Sequence, residues 1–277
     1  MPQMSQEEIL KLIEYISPHA KDYVYQSYQK VEVLYSINTL HNKGVFIIVD
    51  NEDCCIFYAS FLNDANLEDV LEIIRDKTKE YLSKKITKEL CFNVFGNNSR
   101  IINLVRKLGF VSDMEGYHLE YRGRKALPEL EECNLIIKDF KDGMLKEMVH
   151  LFDSAYYKLN IDNGWTTTSH ANMEEQFLEE LSSLNELKQV CSFWLKDELV
   201  GAYIYQQNYI TDIVVKPTYQ NKGYGSYILA HCIRNMTENK STTHIRLRVA
   251  KSNAGAKRLY ERNGFVEIAC FAEHTYK

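Results

Sequence analysis

Several familiar chemistries are missing from this chain. Its seven cysteines (Cys54, Cys55, Cys91, Cys133, Cys191, Cys232 and Cys270) are odd in number and include no C-x-x-C pair, so neither a zinc ribbon nor a complete disulfide framework is indicated. Most stand in apolar runs such as DCCIFYASF, where a thiol packs as a small hydrophobe, and a reducing compartment is expected. No apolar run approaches the roughly 20 residues that span a membrane. The opening MPQMSQEEILKLIEYI reads as an acidic amphipathic helix and not as a signal peptide. The expectation is a cytoplasmic protein without membrane contact. There is no H-E-x-x-H motif, and His231 and His244 stand isolated, so no metal is expected. A G-x-S-x-G nucleophile elbow is absent as well. Positive charge is not in excess: the formal net charge is −5, which disfavours nucleic acid as a partner.

What is present fits an ordinary globular protein, long enough at 277 residues for one large domain or two. Helical periodicity predicts helices over Glu7–Ile16, Leu67–Leu82 and Arg100–Leu108, with strand-like runs GVFIIVD, CCIFYASF, LCFNVF and YHLEY between or after them. RGRKALPELEEC, with Pro128, reads as a linker. Beyond it the pattern predicts a strand NLIIKDF, a helix from Asp142 to about Lys158, a loop LNIDNGWTTTSH and a helix over Met173–Leu184. A hairpin VCSFWLKD/LVGAYIYQQ follows, turning at Lys196–Asp197, then a strand, loop and helix over Ile210–Ile233. A strand over His244–Ala250, a helix over Ala254–Arg262 and a strand from Phe265 complete the chain. Strands and helices mixed without strict alternation give an α+β (mixed α/β) fold.

The two halves repeat. At an offset of 155 residues, LCFNVFGNNSRIINLVRKLGFV lies over IRLRVAKSNAGAKRLYERNGFV, matching Val94 to Val249, Asn98 to Asn253, Leu104 to Leu259 and Gly109-Phe110-Val111 to Gly264-Phe265-Val266. Register and element order agree, which indicates duplication. The expected division is 1–125, a linker at 126–133, and 134–277.

The stretch ITDIVVKPTYQNKGYGSYILAHCI carries the main chemical signal. Strand alternation puts Thr211, Ile213 and Val215 on one face and Ile210, Asp212 and Val214 on the other. Pro217 ends the ladder. Gly223 and Gly225 let backbone N–H groups approach a ligand, Lys222 adds charge, and the next helix points its N-terminus at the loop. The helix buries Ile228, Leu229, Cys232, Ile233 and Met236. Neither a Walker A loop nor a dinucleotide fingerprint fits this spacing.

Val215-x-Pro217-x-x-Gln220-x-x-Gly223-x-Gly225, followed by NAGAKRLYERNGF at Asn253–Phe265, resembles the coenzyme A pyrophosphate loop and the following helix of the GCN5-related N-acetyltransferases (GNAT). The resemblance covers most of Asn134–Lys277, and the repeat extends it in diverged form to the first half. It implies two tandem domains, each a mostly antiparallel central sheet flanked by helices. It further implies that acetyl-CoA is the co-substrate, with backbone N–H groups of Gln220, Asn221, Lys222, Gly223, Tyr224, Gly225 and Ser226 on its pyrophosphate. Ile213, Val214 and Val215, on a strand splayed from its neighbour, would pair with the pantetheine arm and acetyl carbonyl, and Asn253 would touch the cofactor. Tyr260 would protonate the departing thiolate and Asp212 would serve as base. An amine with a free pKa near ~10 must lose a proton before attack, so an acid and a base are both useful.

The first half lacks these parts. Val105 stands where Tyr260 does, and FLNDANLEDVLEII, with Asp64, Glu68 and Asp69, replaces the glycine-rich cationic loop. In the family the segment from about Lys146 to Leu184 forms the acceptor wall; here it carries Asp153, Tyr156, Tyr157, Asp162, Trp165, Glu174 and Glu175, suited to a cationic amine. The expected activity is direct acetyl transfer to a primary amine, of a small molecule or a peptide, by a monomer or homodimer. The alternative is a non-catalytic acyl-CoA sensor or assembly module.

Overall fold

The computed structural model describes residues 4–63, 67–84, 88–123, 134–240 and 244–277. It divides into two compact units, Met1–Tyr117 with Ala269–Lys277, and His118–Ile268. The expected linker at 126–133 lies outside the described residues.

The first unit begins with α1 (Gln6–Glu14) and α2 (Pro18–Gln26). Ser5 starts α1 because its hydroxyl accepts from the Glu8 N–H while the Glu8 carboxylate accepts from the Ser5 N–H, a reciprocal cap that satisfies two orphan donors. Then come β1 (Val31–Asn38), β2 (Lys43–Asp50), β3 (Cys54–Phe61), α3 (Glu68–Ser83), β4 (Glu89–Phe95), α4 (Ser99–Lys107) and β5 (Phe110–Tyr121). β1, β2 and β3 are antiparallel neighbours, and β3 pairs in parallel with β4. Alternation along β2 builds a core on each face. Phe46 and Ile48 pack with Phe57, Phe92 and the inner faces of α3 and α4, and Val45, Ile47 and Val49 pack with α1 and α2. The sequence reading contains neither α2 nor β1.

The second unit runs β6 (Ile136–Lys138), α5 (Leu145–Asn163), α6 (Ser169–Asn172), α7 (Glu174–Glu186), β7 (Val190–Leu195), β8 (Glu198–Gln206), β9 (Tyr209–Val215), α8 (Tyr224–Lys240), β10 (Arg246–Ala250), α9 (Ala254–Arg262) and β11 (Phe265–Tyr276). β6 to β9 are antiparallel neighbours, and β9 pairs in parallel with β10. Helix α5 extends beyond Lys158 to Asn163, where Gly164 ends it at φ 71°; much of the expected loop is thus helical. Each unit contains antiparallel strands, a helix, a parallel strand, a helix and a long strand, in the same order. The long strands make the division discontinuous: β5 crosses from the first unit to the second after Tyr117, and β11 crosses back after Ile268.

Among the described residues no helix is long and apolar enough to cross a membrane, and no group of three or more His, Cys, Asp or Glu side chains could hold a metal ion.

Candidate active site

Strand β9 is built with a defect. Its register to β8 pairs Tyr205 with Ile210 and Ile204 with Asp212, so Thr211 is an extra residue, a β-bulge. Its hydroxyl donates to the Ile204 carbonyl at 3.2 Å. A bulge bends its strand and steepens the local twist. The bulge also corrects the expected alternation. Residues opposite each other share a face, so Ile210 sides with Tyr205, and Asp212 sides with Ile204. Asp212 therefore falls on the face where Val214 packs with Ala202, Ile204 and the α5 and α7 side chains. Ile210 and Asp212, expected together, point apart.

The consequence appears on the other edge. The described ladder between β9 and β10 contains only Tyr209↔Arg246 and Ile210↔Leu247. From Thr211 to Val215, including the expected cofactor-pairing residues Ile213, Val214 and Val215, β10 offers no partner among the described residues. The strands part at the bulge and leave a wedge.

The expected phosphate loop lies at the mouth of this wedge. The Gln220 side chain donates to the Val215 carbonyl at 3.0 Å and fixes the end of β9. Asn221 and Gly223 take left-handed conformations, φ 60° and 89°, and a Cβ built on Gly223 would meet nothing within 4 Å. Gly225 is tighter, since a Cβ there would lie 3.3 Å from Leu259. Helix α8 starts at Tyr224, whose first-turn N–H groups face the loop side without intrahelical partners. Lys222 lies 5.4 Å from the centre of the Tyr219 ring, and Tyr219 packs edge-on against Tyr224. The Ser226 hydroxyl is held by Asn263 at 3.3 Å, which leaves its backbone N–H as the group for a ligand. Asn253 plays a structural part, since its Oδ1 accepts from the Ala256 N–H at 3.1 Å and caps α9. Open space, left-handed backbone and a helix N-terminus together suit a pyrophosphate.

Three side chains converge beside the wedge. Tyr156, from α5, donates to Asp212 Oδ1 at 2.7 Å. Burial raises the Asp212 carboxyl above the usual range, against hydrogen bonds from Tyr156 and Thr211 and the field of His170, which lower it. Tyr260, from α9, is 8% exposed. Burial, then the nearby Asp212 carboxylate and Cys232, push its phenol well above the ordinary tyrosine value, so it keeps its proton at neutral pH. Tyr156 shifts the same way, through burial, Asp212 and Tyr260. The expected pair Asp212 and Tyr260 is thus near enough to interact electrostatically.

The acceptor wall divides. Asp153 accepts from the N–H groups of His170 and Ala171 at 3.0 and 3.1 Å and bonds His170 Nδ1 at 2.8 Å. His170 is not among the expected site residues, because the 17 positions separating it from Asp153 form no recognisable spacing. Asp162 pairs with Lys158 at 2.7 Å, the Trp165 N–H donates to the Asn160 carbonyl, and Tyr157, Glu174 and Glu175 are exposed.

Among the described residues the first unit holds no such wedge. β3 and β4 pair without interruption from Cys54↔Glu89 to Ser60↔Phe95, and the β2–β3 register has no shift. Val105 is fully buried in the α4 core, and Glu68 pairs with Arg100 at 2.5 Å. Asp64 lies outside the described residues.

Comparisons with known proteins bear on the family and the fold. Residues 145–265 match the model of the acetyltransferase (GNAT) family. Among solved structures, the fold is similar to an acetyltransferase of the GNAT family from Colwellia psychrerythraea, at 12% identity and a TM-score of 0.59, covering 99% of this chain and 98% of that one. It is also similar to a GCN5-related N-acetyltransferase from Sphaerobacter thermophilus, at 14% identity and a TM-score of 0.58, covering 97% of this chain and 91% of that one. At such identities the likeness is one of fold. No curated protein matches the chain in sequence. Over residues 145–265, within its C-terminal half, the chain is thus similar to the acetyltransferase (GNAT) family.

Proposed function

We propose that the second unit binds acetyl-CoA and transfers its acetyl group directly to a primary amine. The observation that carries this reading is the wedge between β9 and β10, with Tyr260 and Asp212 beside it and the Gln220–Ser226 loop at its mouth. The backbone of Ile213–Val215 would hold the pantetheine arm, and the N–H groups of the loop would hold the pyrophosphate. Acetyl-CoA supplies an activated acyl carbon on a thiolate leaving group.

The residues then do the rest. Asp212 provides negative charge for an arriving ammonium and is the strand's own candidate for removing its proton. Tyr260, kept protonated by burial, gives its phenolic proton to the departing sulfur. The aromatic and acidic wall of α5 favours a cationic acceptor.

Thermal unfolding of the native protein and of Gly223→Glu, each with and without acetyl-CoA, tests the reading. At a cofactor concentration 100 times its Kd, linkage stabilises the folded state by about 2.7 kcal/mol. The native midpoint should rise and the variant's should not, because a carboxylate at Gly223 occupies the space of the phosphates. An unmoved native midpoint at millimolar acetyl-CoA would remove the basis of the proposal. Binding without turnover of any amine would favour an acyl-CoA sensor.

A further inference from the structure

The removal of the acceptor's proton has a second candidate on the same wall. Asp212 already accepts a hydrogen bond from Tyr156 and is half-buried behind that ring. Beside it lies a histidine held as a base is held. Both Asp153 oxygens are engaged: Oδ1 by the His170 N–H and ring Nδ1, Oδ2 by the Ala171 N–H. A carboxylate accepts, so Nδ1 is the nitrogen that donates, and the lone pair is left on Nε2. The ring is fixed by packing as well. It lies nearly parallel to Tyr156 (15°, centroids 6.4 Å apart) and meets Phe152 and Phe177 edge-on at 5.1 and 4.8 Å. The His170 side chain nonetheless remains 23% exposed. The titratable groups facing it are Asp153 and Tyr156 from α5 and Asp212 from β9; α7 meets it with Phe177.

Resting on the acetyl-transfer reading, we propose that His170 is the base that takes the acceptor amine's proton on Nε2, with Asp153 as its positioning residue and Asp212 as the anion that holds the ammonium. The balance closes. The ammonium gives one proton to Nε2, the neutral nitrogen bonds to the acyl carbon, and the carbon–sulfur bond breaks. The sulfur takes the Tyr260 proton. The acylated nitrogen sheds its second proton, which returns through solvent to the Tyr260 phenolate, and the imidazolium discharges its proton to solvent, so one proton is released per acetylation.

Two readouts decide the matter on the full-length protein, beside the acetyl-CoA-induced thermal shift as a control for folding and binding. The first needs no turnover: long-range proton–nitrogen spectra, with the His170 signal identified by its loss in His170→Gln, should find the neutral ring protonated on Nδ1. A proton on Nε2 would overturn the proposal, since no lone pair would face the acceptor. The second is the pH profile of kcat/KM over a panel of primary amines. His170→Gln should keep the thermal shift, lose about 10²-fold or more in kcat/KM near neutral pH, and lose the acidic limb. Asp212→Asn should keep that limb. Asp153→Asn, which removes the acceptor of the Nδ1 proton, should keep the thermal shift, lower kcat/KM, and in the same spectra lose the fixed Nδ1–H tautomer. An unchanged profile in His170→Gln, in a wild-type protein that acetylates amines, overturns His170 and leaves acetyl transfer standing. A wild-type protein that acetylates none of the panel overturns both.

Discussion

The two strand ends at Phe61 and Val215 occupy equivalent places in the repeat and have opposite fates. Each lies across from a glycine on the preceding strand, Gly44 for Phe61 and Gly201 for Val215. In the first unit the site is filled. A Cβ on Gly44 would lie 2.1 Å from the Phe61 ring, so glycine is required for that ring to seat. Asn98 then ties the ends of β3 and β4 together, its amide donating to the carbonyls of Phe61 at 3.3 Å and Phe95 at 2.6 Å. In the second unit Thr211 interrupts the ladder, and the matching asparagine, Asn253, turns to cap α9. One inserted residue and one redirected amide separate a closed sheet from an open one. The two units thus differ in the closed ladder as well as in the tyrosine and the loop.

The comparison can be attacked at its strongest point first. Replacing Tyr260 by Phe removes one oxygen from a buried ring, so the fold and the cofactor-induced thermal shift should persist while kcat falls about 10²-fold or more, the ordinary worth of a positioned acid. Steady-state kinetics with the best amine of a panel measures it, and undiminished kcat would take the acid role from Tyr260. The two asparagines should separate next. Asn98→Ala removes the buried amide that donates to the Phe61 and Phe95 carbonyls and should cost about 1–3 kcal/mol in urea unfolding, whereas Asn253→Ala removes a cap worth about 1 kcal/mol. Equal costs would mean that the two amides play the same part. Asp212→Asn gives the smallest effect and the clearest sign. Burial raises the Asp212 carboxyl in the folded state, so the unfolded chain ionises first and folding stability falls as pH climbs from the unfolded value toward the folded one. The asparagine variant escapes that loss, and its stability relative to wild type should rise with pH across this window and then level off. A gap that stays constant with pH would contradict the assignment of burial as the dominant cause.

The sequence makes some of this legible and hides the rest for physical reasons. The loop and α9 announce themselves because glycine, proline and a helix N-terminus act locally, within a few residues. The repeat is visible for a similar reason: burial in a strand–helix–strand unit constrains each position of the pattern. The bulge is not visible, since Thr211 is an ordinary strand residue and its extra count exists only against the register of β8. Tyr156 with Asp212 and Asp153 with His170 are contacts made by packing α5 and α6 on the sheet, across separations of 56 and 17 residues, where no periodicity operates. The strand β1 escapes notice because VEVLYSIN lies at intermediate burial almost throughout, without the sharp alternation that marks a half-buried strand. The passage of β5 and β11 between units is equally hidden, because their alternation does not specify which neighbour they pair with.

Hydrogen exchange of the native protein with and without acetyl-CoA tests the central claim most directly. Binding in the wedge should slow exchange of backbone amides over Thr211–Ser226, and leave those of Cys54–Asn63, whose ladder is already closed, unchanged. Protection that appears over Cys54–Asn63, or in both regions equally, would contradict the account that only the second unit is open.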